Sequence, residues 1–530
     1  MTNPSVDGAG STAKRLRQVT VLIAGGGPAG LSAAAELAHH GVSCLVIEPR
    51  TTVSHSRPRA KTTSVRTMEH FRRWGIAAAI RAAAPLSTEW SDMVVFCDSL
   101  LGREITRFPG AFALSSARVD AYAESSQVVP QPVVEETLRE HLRGQPGVTL
   151  EVGSSVTAVR EDDERVLVTV LEPDGTTRDV EARYVLGCDG PNSVVRQQIG
   201  ARYIGRSDPR PNFNLVFRAP TLAPALPPAV QYWIVGGPTP GLIGRLDLHG
   251  TWWAIFPGIE ENFGTRHAAR LIENLVGAPV EVDIVAADPW SARMLVADLF
   301  QTDRIFLVGE SAHLNPPWGG HGFNTCVGDA VNIGWKIAAV EHGWGAPALL
   351  ASYEPERRPV VQSTVDSAAS NMATLAGDLA DRAASIQQLK RSEFYSLGLV
   401  LGYTYGHSPV IDGTPRPTPA TDVSTYIPSA EPGCRLPHIW LGDGSSLYDH
   451  LGPGLTLISP DTGDSSAISE LQRRASGTGI PLTVLRMPRS FPHQGQHLIV
   501  RPDQHIAWSG TSPQDADLAM VLGRALGRQP

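Results

Sequence analysis

The stretch from Val19 to Glu48 constrains this chain more than any other. Val19-Thr20-Val21-Leu22-Ile23-Ala24 is apolar without alternation, the pattern of a strand buried on both faces. Gly25-Gly26-Gly27-Pro28-Ala29-Gly30 follows, then a helical run from Leu31 to His39, then a second apolar strand, Ser43 to Ile47, closed by Glu48. Gly25, Gly27 and Gly30 fit G-x-G-x-x-G, with Pro28 and Ala29 inside the same turn. The first glycine permits a tight turn, the second a close approach of backbone to a pyrophosphate, and the third close packing of helix on strand. The helix then aims its free N–H groups and positive end at the phosphates. Glu48 lies near the ~20-residue offset at which a carboxylate grips a ribose hydroxyl. The combination predicts a dinucleotide-binding βαβ unit.

A length of 530 residues predicts about three domains. The formal net charge of −8 argues against a nucleic-acid surface or an anionic-membrane surface. No run of ~18 apolar residues occurs, so no membrane span is expected. The five cysteines, Cys44, Cys97, Cys188, Cys326 and Cys434, form no C-x-x-C. That pattern predicts a reduced, cytoplasmic protein without a metal site. Residues 1–18 are polar, carry no apolar h-region, and read as a disordered tail.

Two further points on the chain fall just past buried strands: Asp189-Gly190 after Val180 to Leu186, and Gly309-Glu310 after Arg304 to Val308. In an open α/β sheet, ligands bind outside the carboxyl ends of the strands. The glycine turn, Glu48, Asp189 and Glu310 can therefore face one extended ligand. A pyrophosphate at one end and a polyol needing carboxylates at the other describe FAD better than NAD. A helix starting near Phe323 and Asn324 offers N–H groups and a dipole end to the pyrimidine edge of an isoalloxazine.

Between residues 206 and 297, strands with a large aromatic share form a separate antiparallel sheet, joined by short strands in 91–118. Tyr232, Arg245, Asp247 and Trp253 are candidate substrate contacts there. Core packing, or for Asp247 a solvent-facing position, explains them as well. A Pro/Thr-rich linker from Ile411 to Thr421 precedes a last unit at 422–530. The expected order is an α/β, Rossmann-like FAD-binding domain (19–90, 119–205, 298–410), an inserted substrate sheet (91–118, 206–297) and the last unit.

The set Gly25 to Gly30, Glu48, Arg57-Pro58-Arg59-Ala60, Gln131, Asp189-Gly190 and Gly309 to Asn324 resembles the class A flavoprotein aromatic hydroxylases, the family of p-hydroxybenzoate hydroxylase. Asp329-Ala330 through Tyr353-Glu354-Pro355-Glu356-Arg357-Arg358-Pro359 matches too. With its last unit, the chain is more similar to phenol, dichlorophenol and aromatic-polyketide hydroxylases, whose C-terminal domain is thioredoxin-like. The resemblance implies FAD as cofactor, NADPH or NADH as transient co-substrate, and O2. It implies hydroxylation of a small phenolic or polycyclic aromatic substrate through a flavin C4a-hydroperoxide. By matching position it assigns Arg50 and Arg59 to the dinucleotide, Gln131 to its flavin side, and Asp189 to the flavin and its linker. Glu310 stands where the family has Asp, gripping the ribityl chain. Pro316 and Pro317 border the oxygen site, and Gly322, Phe323 and Asn324 supply the pyrimidine-edge N–H groups. His313 and His321 read as local hydrogen-bonding residues. Cys434 lacks a nearby partner for dithiol chemistry. A halogenase is disfavoured because Trp252-Trp253-Ala254-Ile255-Phe256-Pro257 does not fit W-x-W-x-I-P. Baeyer–Villiger or epoxidising chemistry, a flavin-loaded binding protein, a plain NAD dehydrogenase and a homo-oligomer stay open.

Overall fold

The computed structural model describes residues 16–373, 382–411, 422–461, 465–487, 495–511 and 518–528. Its first sheet is built on the strand Arg17–Ala24, the helix Pro28–His39 and the strand Cys44–Glu48. Val148–Val152, Cys44–Glu48, Arg17–Ala24, Thr177–Gly187 and Ile305–Leu307 run parallel in that order. The glycine turn, Cys188 and Val308 therefore emerge side by side at one edge. Every residue of Cys44–Glu48 and Ile305–Leu307 is buried, as the unbroken apolar text required. The first strand starts two residues inside the expected tail. Arg17 and Gln18 pair in register with Val180 and Glu181, and their polar side chains stay exposed, so hydrophobicity alone did not mark them. The rest of the tail, and 412–421 of the linker, lie outside the described residues. Ser155–Glu161 and Val166–Leu171 form the expected antiparallel meander with the first half of Thr177–Gly187. Val148–Val152, which reads as part of that meander, instead joins the opposite edge in parallel.

The second sheet has eight strands and draws on both inserted segments. Tyr203–Arg218 and Asp283–Ala297 are its long antiparallel centre, flanked by Thr251–Pro257, Gly241–Arg245 and Gln231–Ile234. It is not wholly antiparallel: Gln231–Ile234 runs parallel to Val94–Cys97. One face packs on the first sheet's domain through Val216, Trp233, Leu242, Trp253 and Ile255. The other carries Phe213, Phe217, Tyr232, Ile243 and Trp252 and is covered by the helix Ala268–Val276. Alternation along strands assigns neighbours to opposite faces.

The last unit is a four-stranded sheet in the order Leu482–Met487, Leu455–Pro460, His497–Val500, Ile506–Gly510. Its first two strands are parallel, its others antiparallel, and its helices Ser465–Gly477 and Leu518–Ala525 complete a βαβ–ββα, thioredoxin-like unit. Cys434 is the single cysteine of the 422–530 sequence, so the unit carries no dithiol. Buried ion pairs bolt it to the rest. Arg501 forks onto Glu356, and Arg435 onto Glu69, all with side chains 0% exposed.

Candidate active site

The glycine turn behaves as three distinct constraints. Gly25 adopts φ +101°, and a Cβ there would lie 2.4 Å from the carbonyl oxygen of Cys188. A Cβ on Gly30 would lie 1.9 Å from the Gly25 oxygen. At Gly27 a Cβ would meet only Arg50 Nη2, at 3.7 Å. Gly25 and Gly30 are therefore demanded by the protein, whereas the space at Gly27 is open for a ligand. Gly27 caps Pro28–His39 with no side-chain hydrogen bond and no acidic residue in the first turn. Its N–H groups are left for a phosphate.

Glu48 is 2% exposed. Its carboxylate accepts from the Gly26 N–H (2.6 Å), the Arg50 N–H (2.9 Å) and Arg50 Nε (2.6 Å). Arg50 Nη2 also donates to Glu135 (3.2 Å), and Glu135 accepts from Gln131 Nε2 (2.9 Å). The Ala60 N–H donates in turn to Gln131 Oε1 at 3.3 Å. One chain of hydrogen bonds thus joins the second strand, the Gln131–Arg143 helix and the Arg59-Ala60 loop. Glu135 is the member that sequence reasoning missed. Its sole signal was a position one helical turn after Gln131. Arg59 Nη1 faces Glu310 Oε2 at 4.0 Å, and both side chains are about half exposed (56% and 47%), free to accept a ligand between them.

Asp189 sits beside the glycine turn but is partly engaged as a turn residue. Its carboxylate accepts from the Val195 N–H (3.1 Å) and from Ser193 Oγ (2.5 Å). Burial holds its carboxyl above the ordinary range. Gly309, at φ +71°, packs where a Cβ would lie 2.9 Å from Ala29 Cβ, which ties the two motifs together. Below it Asp329 is held well into the ionised range. Arg357 and His313 outweigh its burial, through contacts of 2.7 Å each. His313, hydrogen-bonded to Asp329 and to Asn315 (3.1 Å), is the local structural residue expected.

The helix Gly322–Glu341 starts without a capping side chain. Asn324 uses its amide elsewhere: Oδ1 accepts from the Ser64 N–H (2.9 Å) and Thr67 Oγ1 (2.8 Å), and Nδ2 donates to Thr62 (3.1 Å) and Gly320 (2.7 Å) carbonyls. It clamps the loop and leaves the backbone N–H groups of Gly322, Phe323 and Asn324 at the helix mouth. Pro316 is buried and Pro317 exposed in the preceding loop. A cavity of about 230 Å³ opens beside Gly319, Gly320 and Asn324, walled by Val65, Phe112, Tyr122 and Tyr395.

The four substrate candidates separate. Trp253 is on the sheet face turned to this region, with Lys61 Nζ 4.4 Å above its ring. Burial lowers the Lys61 ammonium to about 8. Tyr232, Arg245 and Asp247 are instead engaged within the inserted sheet and its turns. Tyr232 is on the covered face and its hydroxyl donates to the Pro227 carbonyl. Arg245 donates to the Ala223 carbonyl (2.9 Å) against Trp252 of that same face. Asp247 closes a turn by accepting from the His249 (2.7 Å) and Thr251 (3.0 Å) N–H groups. None of the four lines the 230 Å³ cavity; Trp253 lines a separate, smaller pocket with Arg57, Arg59 and Lys61.

A parallel sheet with a glycine turn, a carboxylate at the second strand, and a second helix mouth facing the same edge defines an FAD-binding oxidoreductase. An FAD-binding-domain family model matches residues 18–368, and an aromatic-ring hydroxylase C-terminal model matches 429–529. A putative polyketide hydroxylase of Streptomyces halstedii is 30% identical, with 97% of each chain covered. The structure of the rebeccamycin biosynthetic enzyme RebC with reduced flavin superposes with a TM-score of 0.86 at 29% identity, covering 97% of this chain and 100% of that one. The ternary complex of aklavinone-11 hydroxylase with FAD and aklavinone superposes with a TM-score of 0.84 at 26% identity, covering 97% and 99%. The chain belongs to the FAD-dependent aromatic-ring hydroxylases, a family of flavin monooxygenases, and FAD is its cofactor. No helix among the described residues is long and apolar enough to cross a membrane.

Proposed function

We propose that this chain uses NADPH or NADH and O2 to hydroxylate a phenolic or polycyclic aromatic molecule seated in the 230 Å³ cavity. The observation that carries this reading is the cavity's position. Gly320 and Asn324, at the mouth of the 20-residue helix that would face the flavin pyrimidine, form part of its wall. FAD held along the strand ends would supply uptake of a hydride from the nicotinamide and transfer of one oxygen atom of O2 to the ring, the other leaving as water.

The protein's own residues divide the remaining work. Gly25, Gly27 and Gly30, with Pro28 and Ala29, would shape the pyrophosphate turn. Glu48 would hold the ribose, and Arg50 keeps that carboxylate oriented. Arg59 and Glu310, facing each other at the cleft rim, would close on the pyrophosphate and ribityl chain. Gln131 fixes the Arg59-Ala60 loop. Asp189 would line the linker while capping its own turn. Gly322, Phe323 and Asn324 would present N–H groups to developing negative charge, where a preorganised donor is worth most. Pro316 and Pro317 would exclude water from the oxygen side, and Trp253 would flank the cleft beside Lys61 and the Arg59 loop. These parts fit the cofactor: the turn is open at Gly27, and both helix mouths lack capping side chains.

The test is reconstitution with FAD and measurement of NAD(P)H oxidation against a panel of phenols and polycyclic phenols under labelled O2. Aromatic-stimulated oxidation with one labelled oxygen atom in the product is expected. Oxidation indifferent to every aromatic, with no labelled product, overturns the proposal.

A further inference from the structure

Buried polar atoms in folded proteins nearly always find a partner, so an orphan beside an empty cavity points to what the cavity receives. Two residues that line the 230 Å³ cavity carry such atoms. His321 Nε2 and Ser126 Oγ are buried without a hydrogen-bond partner, and their residues are 5% and 1% exposed. They come from different parts of the chain: the loop before the flavin-facing helix, and the segment leading into the Gln131–Arg143 helix.

The charge around them is equally specific. Asp92 is the cavity's sole charged side chain among the described residues, and its carboxylate accepts from the Gly110 N–H at 3.1 Å. Lys390 and Glu393, behind the loop, are paired with each other at 2.6 Å. Among the described residues that line it, none is a Lys or Arg to meet an anionic ligand. Phe112, Tyr122 and Tyr395 supply flat apolar walls. The volume exceeds the about 150 Å³ that suffices for one benzene ring.

Resting on the function proposed above, we infer that the cavity selects uncharged, hydroxyl-bearing aromatics larger than a single ring. His321 and Ser126 are the specificity-determining residues that take the substrate's hydroxyl groups. Aromatic carboxylates are excluded. Burial lowers the His321 imidazolium to about 4, so at neutral pH the ring is uncharged and its Nε2 offers one hydrogen bond to a phenol hydroxyl.

The test compares 1-naphthol, naphthalene and 1-naphthoate by perturbation of the flavin spectrum in the FAD-loaded protein. 1-Naphthol should bind about tenfold more tightly than naphthalene, the yield of hydrogen bonds to otherwise unpaired groups, and 1-naphthoate no more tightly than naphthalene. His321→Leu and Ser126→Ala should each lose several-fold in 1-naphthol affinity, leave naphthalene unchanged and retain FAD. His321→Gln, which keeps a hydrogen-bonding side chain, should restore most of the preference. An unchanged naphthol-to-naphthalene ratio in FAD-retaining variants overturns the inference, as does a wild-type preference for 1-naphthoate. If the wild type oxidises NAD(P)H in response to phenols while that ratio does not move, this inference alone fails. If it responds to no aromatic, the proposed function fails with it.

Discussion

Replacing Arg501 by Met removes the centre of the bolt between the thioredoxin-like unit and the flavin-binding body. The guanidinium is fully buried and makes four contacts. Nη1 and Nη2 donate to the two Glu356 oxygens at 2.7 and 2.8 Å, and Nε and Nη2 donate to Asp503 at 3.1 and 2.6 Å. Glu356 keeps Lys336 (2.8 Å), Asn332 (2.7 Å) and Ser408 (2.6 Å), so its charge is weakened in support rather than stranded. Asp503 keeps Trp335 Nε1 at 3.2 Å and the neighbouring His505. Removing one partner of a buried pair costs about 3–5 kcal/mol, and the residual partners place this site toward the lower end. That is a large share of the roughly 5–15 kcal/mol that holds a domain folded. Lys336 and Asn332 lie on the helix that begins at Gly322, so the loss should reach the flavin end. Urea unfolding followed by tryptophan fluorescence and flavin release should show a clearly lower midpoint and earlier flavin loss. The double variant with Glu356→Leu should lose less than the sum of the single variants, because both remove one interaction. A loss below about 1 kcal/mol, or strict additivity, would refute the account of a buried, mutually dependent pair.

Two glycine variants should part company. Gly27→Ala meets nothing closer than 3.7 Å and should fold with an unchanged melting temperature, yet bind FAD at least about tenfold more weakly because its methyl occupies phosphate space. Gly25→Ala combines φ +101° with a 2.4 Å backbone clash and should lose folded protein itself; circular dichroism and flavin content separate the outcomes. Stability should also fall in two acid steps. His39, His321 and His505 are held near 4 by burial, so the unfolded chain takes up their protons first and stability drops as pH falls from 6.5 to 4. Glu36 and Glu356 are held down to about 2, so their contribution is present above pH about 4.5 and fades toward 2. Denaturant midpoints against pH check both, and Glu356→Gln should flatten the lower step.

What the sequence alone determined was local. The apolar strands, the three spaced glycines, the helix start at Gly322 and the βαβ rhythm are written within a few residues of each other. They encode backbone conformation and burial on both faces directly. The family resemblance added the reaction, the thioredoxin-like reading of the last unit and the roles of Arg59, Gln131, Pro316 and Pro317. Which face of the inserted sheet meets the site was decided by tertiary packing. A period of two separates Tyr232 from Trp233 and Trp252 from Trp253, but it does not say which set turns inward. The docking of the helix Ala268–Val276 on one face settles that, and puts Tyr232 and Arg245 on the covered side. Glu135, Lys61 and the unpartnered His321 were likewise invisible, because each acquires meaning from a neighbour far away in the chain. A histidine nitrogen that is buried without a partner is a fact about its surroundings, and surroundings exist only once the chain is folded.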